Sequence, residues 1–129
     1  MKRLPPSKEI FKRFEIDLYE AALKSNPNNI EVLRFLGFTY SQEGCHEKAL
    51  EIDKKLVRLL PEESIVHYNL ACSYSQLNQM DNAFNELEMA ILLGYNEWQH
   101  MNEDADLINL KKDPRYKQLV SSLGKKYIV

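Results

Sequence analysis

Three histidines and two cysteines are the side chains of this chain best suited to catalysis or metal binding. His46, His67 and His100 lie far apart, and none has a carboxylate or a cysteine at the spacing of a zinc site. Cys45 and Cys72 match no metal-binding or redox motif, and the chain has neither a glycine-rich phosphate loop nor a nucleophile elbow. The sequence therefore predicts a non-enzymatic protein with no metal and no cofactor. Cys72 remains a candidate for thiol reactivity, because its predicted helix places it on an exposed face.

Two other polar features have structural interpretations. His67 falls on the packed face of a predicted helix, where a histidine usually hydrogen-bonds to a neighbour and is not a catalytic base. The acidic run of Glu103, Asp104 and Asp106 lacks the alternating oxygen ligands and the glycine of a calcium loop. Helix capping is the simpler interpretation of that run.

Charge is unevenly distributed along the 129 residues, although the net charge is only −2. Residues 61–110 contain nine acidic residues and no lysine or arginine, whereas residues 111–126 contain six basic residues and one acidic residue. Because binding to a phosphate backbone depends on clustered lysine and arginine, the acidic half argues against a nucleic-acid partner. The same half leaves open an acidic surface for a basic partner, or a contact between acidic and basic segments of two copies.

An internal repeat of 34 residues determines the expected architecture. Residues 36–40 (Leu-Gly-Phe-Thr-Tyr) return as residues 70–74 (Leu-Ala-Cys-Ser-Tyr), and Pro27 and Pro61 are separated by the same interval. Gly44 and Asn78 also correspond, and both tolerate the left-handed conformation of a helix-ending turn. Repeats of this length are typical of solenoids, in which each unit buries its apolar face against the next.

Apolar spacing divides each repeat into two helices. In the first repeat, apolar residues recur at steps of three and four over residues 29–43, and a second stripe follows over residues 46–60. Gly37 and Ala49 are small enough for the two backbones to approach closely, and alanines take both positions in the second repeat. The sequence therefore predicts an all-α fold of antiparallel helix pairs.

These positions resemble the pattern of the tetratricopeptide-repeat (TPR) family. The matching residues are Leu33, Leu36, Gly37, Tyr40, Gly44, Ala49 and Pro61 in the first repeat, and Leu70, Ala71, Tyr74, Ala83 and Ala90 in the second. The pattern is broken by Asp53, Leu56, His67, Leu87 and Tyr95. The resemblance implies a right-handed α-solenoid that binds other proteins and is not itself an enzyme.

The length of 129 residues predicts a single domain, residues 1–129, and the resemblance divides it into four parts. Residues 8–27 are similar to the second helix of a preceding repeat, residues 30–63 and 64–97 are full repeats, and residues 98–129 resemble a bacterial-type C-terminal capping extension. In this cap, Asp113 suits an N-cap and Pro114 a first helical position.

The half-repeat is expected to turn one apolar stripe toward the first full repeat, made of Phe11, Phe14, Leu18, Ala21 and Ala22. Ile10, Ile16 and Tyr19 are then expected at the edge where a further helix would pack. Residues 1–6 would shield that edge, or a second copy of the chain would cover it.

Residues of the first helix of each repeat that are not used for internal packing form a second stripe, predicted to line a concave peptide groove. They are Arg34, Phe35, Phe38, Gln42, Ile65, Tyr68, Asn69, Cys72 and Gln76. Phe38 and Tyr68 are expected to offer rigid apolar area, Arg34 to bind a carboxylate, and Asn69 to bond a ligand main chain. The alternative is that the N-terminal helix covers Phe35 and Phe38.

The sequence thus predicts an adaptor or scaffold that binds one protein or peptide partner in this groove. The chief rival is a homodimer or larger homo-oligomer, assembled through the N-terminal helix edge or the oppositely charged segments. Residues 1–6 lead into a charged segment, and no run of about 18 apolar residues is present. We therefore expect a cytoplasmic protein with no membrane partner, whose ligand the sequence does not name.

Overall fold

The fold is described by a computed structural model, which covers the backbone of residues 6–124 and the side chains of residues 9–123. Every regular element within this range is helical, so the predicted all-α class is confirmed. No described helix is both long and apolar enough to cross a membrane. Two parts of the predictions lie outside the described residues: residues 125–129 at the end of the predicted cap, and residues 1–5 of the segment predicted to shield the half-repeat.

Eight α-helices follow one another along the described part of the chain. They are α1 (Pro6–Ser25), α2 (Ile30–Gln42), α3 (His46–Leu59), α4 (Ser64–Gln76), α5 (Met80–Leu92), α6 (Trp98–Glu103), α7 (Ile108–Lys111) and α8 (Pro114–Leu119). A 3-10 turn, Ala105–Leu107, precedes α7, and a π-helical segment, Val120–Gly124, follows α8. The chain divides into two compact units, Met1–Ile52 and Asp53–Val129, with the boundary inside α3. The single domain of residues 1–129 stays a prediction.

Helices α2, α4 and α5 end in the same turn. Gly44, Asn78 and Gly94 have positive φ angles of 77°, 58° and 108°. In each case the amide of the next residue donates to the carbonyl five positions earlier, as in the Schellman motif: Cys45 to Tyr40, Gln79 to Tyr74, and Tyr95 to Ala90, at 2.8–2.9 Å. The predicted left-handed conformation of Gly44 and Asn78 is therefore confirmed.

We expect Gly44→Ala to lower the free energy of unfolding by about 1 kcal/mol. Nothing lies within 4 Å of the added Cβ, so the cost comes from the backbone conformation and not from a clash. Asn78→Gly, at the equivalent turn, should leave stability unchanged or raise it by a few tenths of a kcal/mol. Urea denaturation followed by circular dichroism measures both, and an unchanged midpoint for Gly44→Ala would contradict the strained turn.

In the first unit, α1 packs on α2 through Ile16, Tyr19 and Leu23, which lie against the buried Leu36 and Tyr40. The Tyr40 hydroxyl donates to Glu20 Oε1 at 2.7 Å, and Lys12 Nζ lies 2.7 Å from Glu43 Oε1. The polar contacts and the apolar contacts therefore hold the same face of α1 against α2.

The orientation predicted for α1 is wrong. Phe11, Phe14 and Leu18, which were expected to face the first repeat, are exposed, whereas Ile16 and Tyr19 are packed. Helix α1 carries two apolar stripes, and spacing alone does not distinguish them. Glu20 lies beside the Ile16 stripe and accepts from the Tyr40 hydroxyl, so this hydrogen bond favours burial of the Ile16 stripe.

The second unit has one continuous core between α4, α5 and the elements that follow. Ala71, Ala83 and Leu87 are fully buried where α4 meets α5. Met101, Leu107, Leu110 and Tyr116 extend this core into the C-terminal elements. The Asp113 side chain accepts from the Arg115 amide at 3.0 Å ahead of Pro114, so the predicted start of α8 is confirmed.

Candidate functional site

The predicted groove residues of α4 fall into a covered set and an exposed set. Tyr68, Cys72 and Gln76 follow one another at four-residue steps and therefore share a face of the helix. Tyr68 and Cys72 are only 2% and 8% exposed. Ile65 and Asn69 remain exposed.

The face of Tyr68, Cys72 and Gln76 is covered by the acidic segment between α6 and α7. The Tyr68 hydroxyl donates to Asp104 Oδ2 at 2.6 Å, and Gln76 Nε2 donates to Asp106 Oδ1 at 2.7 Å. Asp104 is fixed in turn, because its side chain accepts from the Asp106 amide at 3.0 Å and so caps the 3-10 turn. The capping interpretation of the acidic run is thereby confirmed at Asp104.

This acidic segment is anchored in the core of the unit. Met101 precedes it and Leu107 ends it, and both are fully buried. Asn109 Nδ2 also donates to the Ser75 carbonyl at 3.2 Å. A ligand would have to remove core side chains to reach Tyr68 or Cys72.

The predicted exposure of Tyr68 and Cys72 is therefore wrong. The Tyr68 ring stacks on the Tyr95 ring, with centroids 4.2 Å apart and planes 8° from parallel. Burial, together with the nearby Asp104 and Asp106 carboxylates, raises the pKa of the Cys72 thiol well above its usual value. A buried thiol with a raised pKa is a poor nucleophile, and both properties argue against the reactivity that the sequence suggested for Cys72.

Cys72, Asp104 and Asp106 place possible metal-ligand atoms within 4.8 Å of one another. Internal hydrogen bonds account for this approach. Asp104 Oδ2 accepts from Tyr68 and lies 3.3 Å from His100 Nε2, while Asp106 accepts from Gln76. Both carboxylates already act as acceptors for protein donors.

His67 is the packed histidine that the sequence predicts. Its ring is buried, with Nδ1 2.6 Å from Glu86 Oε2 and Nε2 2.8 Å from the Pro61 carbonyl oxygen. An acceptor thus faces each ring nitrogen, and the imidazole joins α4 to α5 and to the turn that precedes α4. This arrangement is structural.

The exposed aromatic residues of the predicted site lie on α2. Glu31, Phe35, Phe38 and Gln42 recur at steps of four, three and four, and all four are exposed; we call them the α2 stripe. Phe35 and Phe38 are 56% and 63% exposed, although the Tyr19 ring stacks on Phe35 at 5.9 Å. The alternative that α1 covers both phenylalanines is therefore wrong.

Arg34 and Asn69, the two predicted polar anchors, lie in different settings. Arg34 is half-buried beside the α2 stripe, whereas Asn69 is exposed on α4. Their proposed contacts with a ligand stay predictions.

The acidic half is partly neutralised within the second unit. Arg115 Nη1 lies 2.6 Å from Asp81 Oδ1, and its guanidinium sits 4.5 Å from the centre of the Phe84 ring. Arg115 also binds Asp113 at 2.9 Å. This basic residue of the tail therefore pairs with acids of its own chain.

Sequence reasoning missed the exposed face of α1. Ile10, Phe11, Phe14 and Leu18 are each between 55% and 68% exposed, and we call them the α1 stripe. From the sequence, Phe11, Phe14 and Leu18 were expected to pack against the first repeat, whereas Ile10 was expected at the open edge of the half-repeat, so the exposure of Ile10 agrees with that expectation and the exposure of the other three does not.

Comparison with known proteins gives a partial relative and no family. No family model matches the chain. Among curated proteins, a chloroplastic protein of Arabidopsis thaliana is 33% identical over 95 aligned residues, which cover 71% of this chain. The matched region represents 28% of that protein, so the chain is similar to about a quarter of its length.

Proposed function

We propose that the chain is a non-enzymatic interaction module that binds a peptide segment of a partner protein on the α2 stripe. The observation that carries this proposal is the exposure of Phe35 and Phe38, one helical turn apart on a helix whose opposite face is buried. Exposed aromatic side chains in such an arrangement are typical anchors for a partner, because they offer large rigid apolar area.

We further propose that the module is of TPR type and builds a right-handed α-solenoid. The helix bounds support this: α2 and α4 begin at Ile30 and Ser64, and α3 and α5 begin at His46 and Met80, both 34 positions apart. The left-handed Gly44 and Asn78 keep the same interval. Repetition of helices and turns at one period is the property on which repeat stacking depends.

The chemistry of the α2 stripe suggests a partner segment with apolar anchors and a basic residue. Phe35 and Phe38 would receive the apolar side chains, and Glu31 lies at one end of the stripe with Gln42 at the other. An acidic surface that holds a basic protein is less well supported, because Asp81 is paired with Arg115 and Glu86 with His67.

Peptide selection tests the α2 stripe directly. We would select binders from a random peptide library on the full chain and measure their dissociation constants by fluorescence anisotropy. Phe35→Ala/Phe38→Ala should weaken binding at least about thirtyfold, as loss of a hot spot does. Leu92→Ala, an exposed apolar residue of α5, is the matched control and should leave binding unchanged. Equal binding by both variants would overturn the proposal.

The non-enzymatic part of the proposal is supported by the settings of the two most reactive groups. Cys72 is buried with a raised pKa, and His67 is held between two acceptors. A cytoplasmic location stays a prediction of the sequence, and the word chloroplastic describes the relative.

A further inference from the structure

We infer that the α1 stripe is a self-association surface, on which α1 of a second copy of this chain packs antiparallel. This inference concerns a different helix from the α2 stripe and does not rest on the proposed function. Its basis is an exposed apolar face flanked on one edge by Arg13 and Asp17, whose charges complement those of an identical helix in reverse orientation.

The apolar part of the α1 stripe is large enough for a weak dimer. Its four side chains are each more than half exposed. They leave on the order of 500 Å² of apolar surface per copy and about 1,000 Å² per pair, the lower limit for a specific interface. A weak, concentration-dependent dimer is therefore expected.

An antiparallel pairing centred near residue 15 uses this surface symmetrically. At about 100° and 1.5 Å per residue, Phe14 of one copy then meets Phe14 of the other near the twofold axis. Phe11 of each copy lies at the same height along the helix axis as Leu18 of the other copy. The largest side chains of the stripe thus contact each other.

The charges along one edge of the stripe support the antiparallel direction. Arg13 and Asp17 are both exposed and lie four positions apart on the same edge of α1. In an antiparallel twofold pair each edge meets itself, so Arg13 of one copy lies beside Asp17 of the other, twice. Glu15 lies on the other edge near the axis, where the two carboxylates repel each other.

Charge reversal tests this register. Arg13→Glu and Asp17→Arg should each weaken self-association at least about tenfold, because each creates two like-charge contacts. An equimolar mixture of the two variants should recover association, as should the double variant Arg13→Glu/Asp17→Arg, since both arrangements restore opposite charges. Glu15→Gln should tighten the dimer.

The measurement is sedimentation equilibrium of the full chain from about 1 to about 500 µM, with helical content checked by circular dichroism. Phe14→Glu should abolish the dimer, whereas Phe38→Glu, at an equally exposed phenylalanine of the α2 stripe, should preserve it. A monomer at every concentration would overturn the inference. A dimer that survives Phe14→Glu, or that the mixture of charge variants fails to restore, would overturn it equally.

Discussion

Replacing Tyr68 with alanine is expected to lower the free energy of unfolding by about 3–5 kcal/mol, the range for truncating a buried aromatic residue. The ring is 2% exposed and stacks on Tyr95 at 4.2 Å, so its removal leaves a cavity between α4 and the C-terminal elements. The hydroxyl is also the donor to Asp104 Oδ2 at 2.6 Å, and alanine leaves that carboxylate without this donor.

Two further variants separate the contributions to this effect. Tyr68→Phe keeps the stacked ring and removes the hydroxyl, and it should cost about 1–3 kcal/mol as a lost hydrogen bond to a charged acceptor. Phe38→Ala, at the other residue predicted to anchor a ligand, should change stability by no more than about 0.5 kcal/mol because the side chain is 63% exposed.

Urea denaturation of the three variants beside the wild type gives these values. Equal stability of Tyr68→Ala and Phe38→Ala would contradict the burial of Tyr68 under the acidic segment. It would also restore Tyr68 as a candidate for contact with a ligand.

The helices and their turns could be predicted from the sequence because they depend on local physics. Apolar residues at steps of three and four indicate the buried face of α2, and Gly44 and Asn78 terminate helices by adopting a conformation that most residues avoid. The packed role of His67 was also predicted, because a histidine on an apolar face needs nearby acceptors, and Glu86 and Pro61 supply them.

The coverage of α4 could not be predicted in the same way. The contact between Tyr68 and Asp104 joins residues 36 positions apart, and no periodic pattern connects them. Because Asp104 accepts from Asp106 within its own turn, its sequence context indicated only a cap. The predicted orientation of α1 was wrong for a related reason. When a helix has two apolar stripes, the element packed against it determines which stripe is buried.

Asp53 is one of the residues that break the TPR pattern, and it is a buried acid. The residue is 8% exposed, and its Oδ2 accepts from the Ser73 hydroxyl at 2.5 Å. Burial raises the pKa of this carboxyl from 3.8 to about 6, and the Ser73 hydrogen bond offsets part of that rise. The folded protein therefore binds the Asp53 proton more tightly than the unfolded chain does.

The sign of the pH effect follows from this difference. Between about pH 4 and pH 6 the folded state holds more protons at Asp53 than the unfolded state, so the free energy of unfolding falls as pH rises. The contribution of Asp53 is fully present below the unfolded pKa of 3.8 and is lost above about pH 6. A shift of about two pH units corresponds to about 2–3 kcal/mol.

Asp53→Asn removes the ionisation and keeps an acceptor oxygen for Ser73. We expect it to stabilise the protein by about 2 kcal/mol at about pH 7.5 and to match the wild type near pH 4. Urea denaturation of both proteins from about pH 4 to pH 8 gives the difference between their free energies of unfolding. The contributions of the other carboxyl groups are common to both proteins and cancel in this difference. Ser73→Ala should move the midpoint of the Asp53 contribution to higher pH, because the hydrogen bond that lowers the Asp53 pKa is lost. The free energies of unfolding of wild type and Asp53→Asn could instead differ by the same amount at every pH. That result would show that Asp53 is exposed to solvent in the folded protein, and it would contradict the burial of this residue at the start of the second unit.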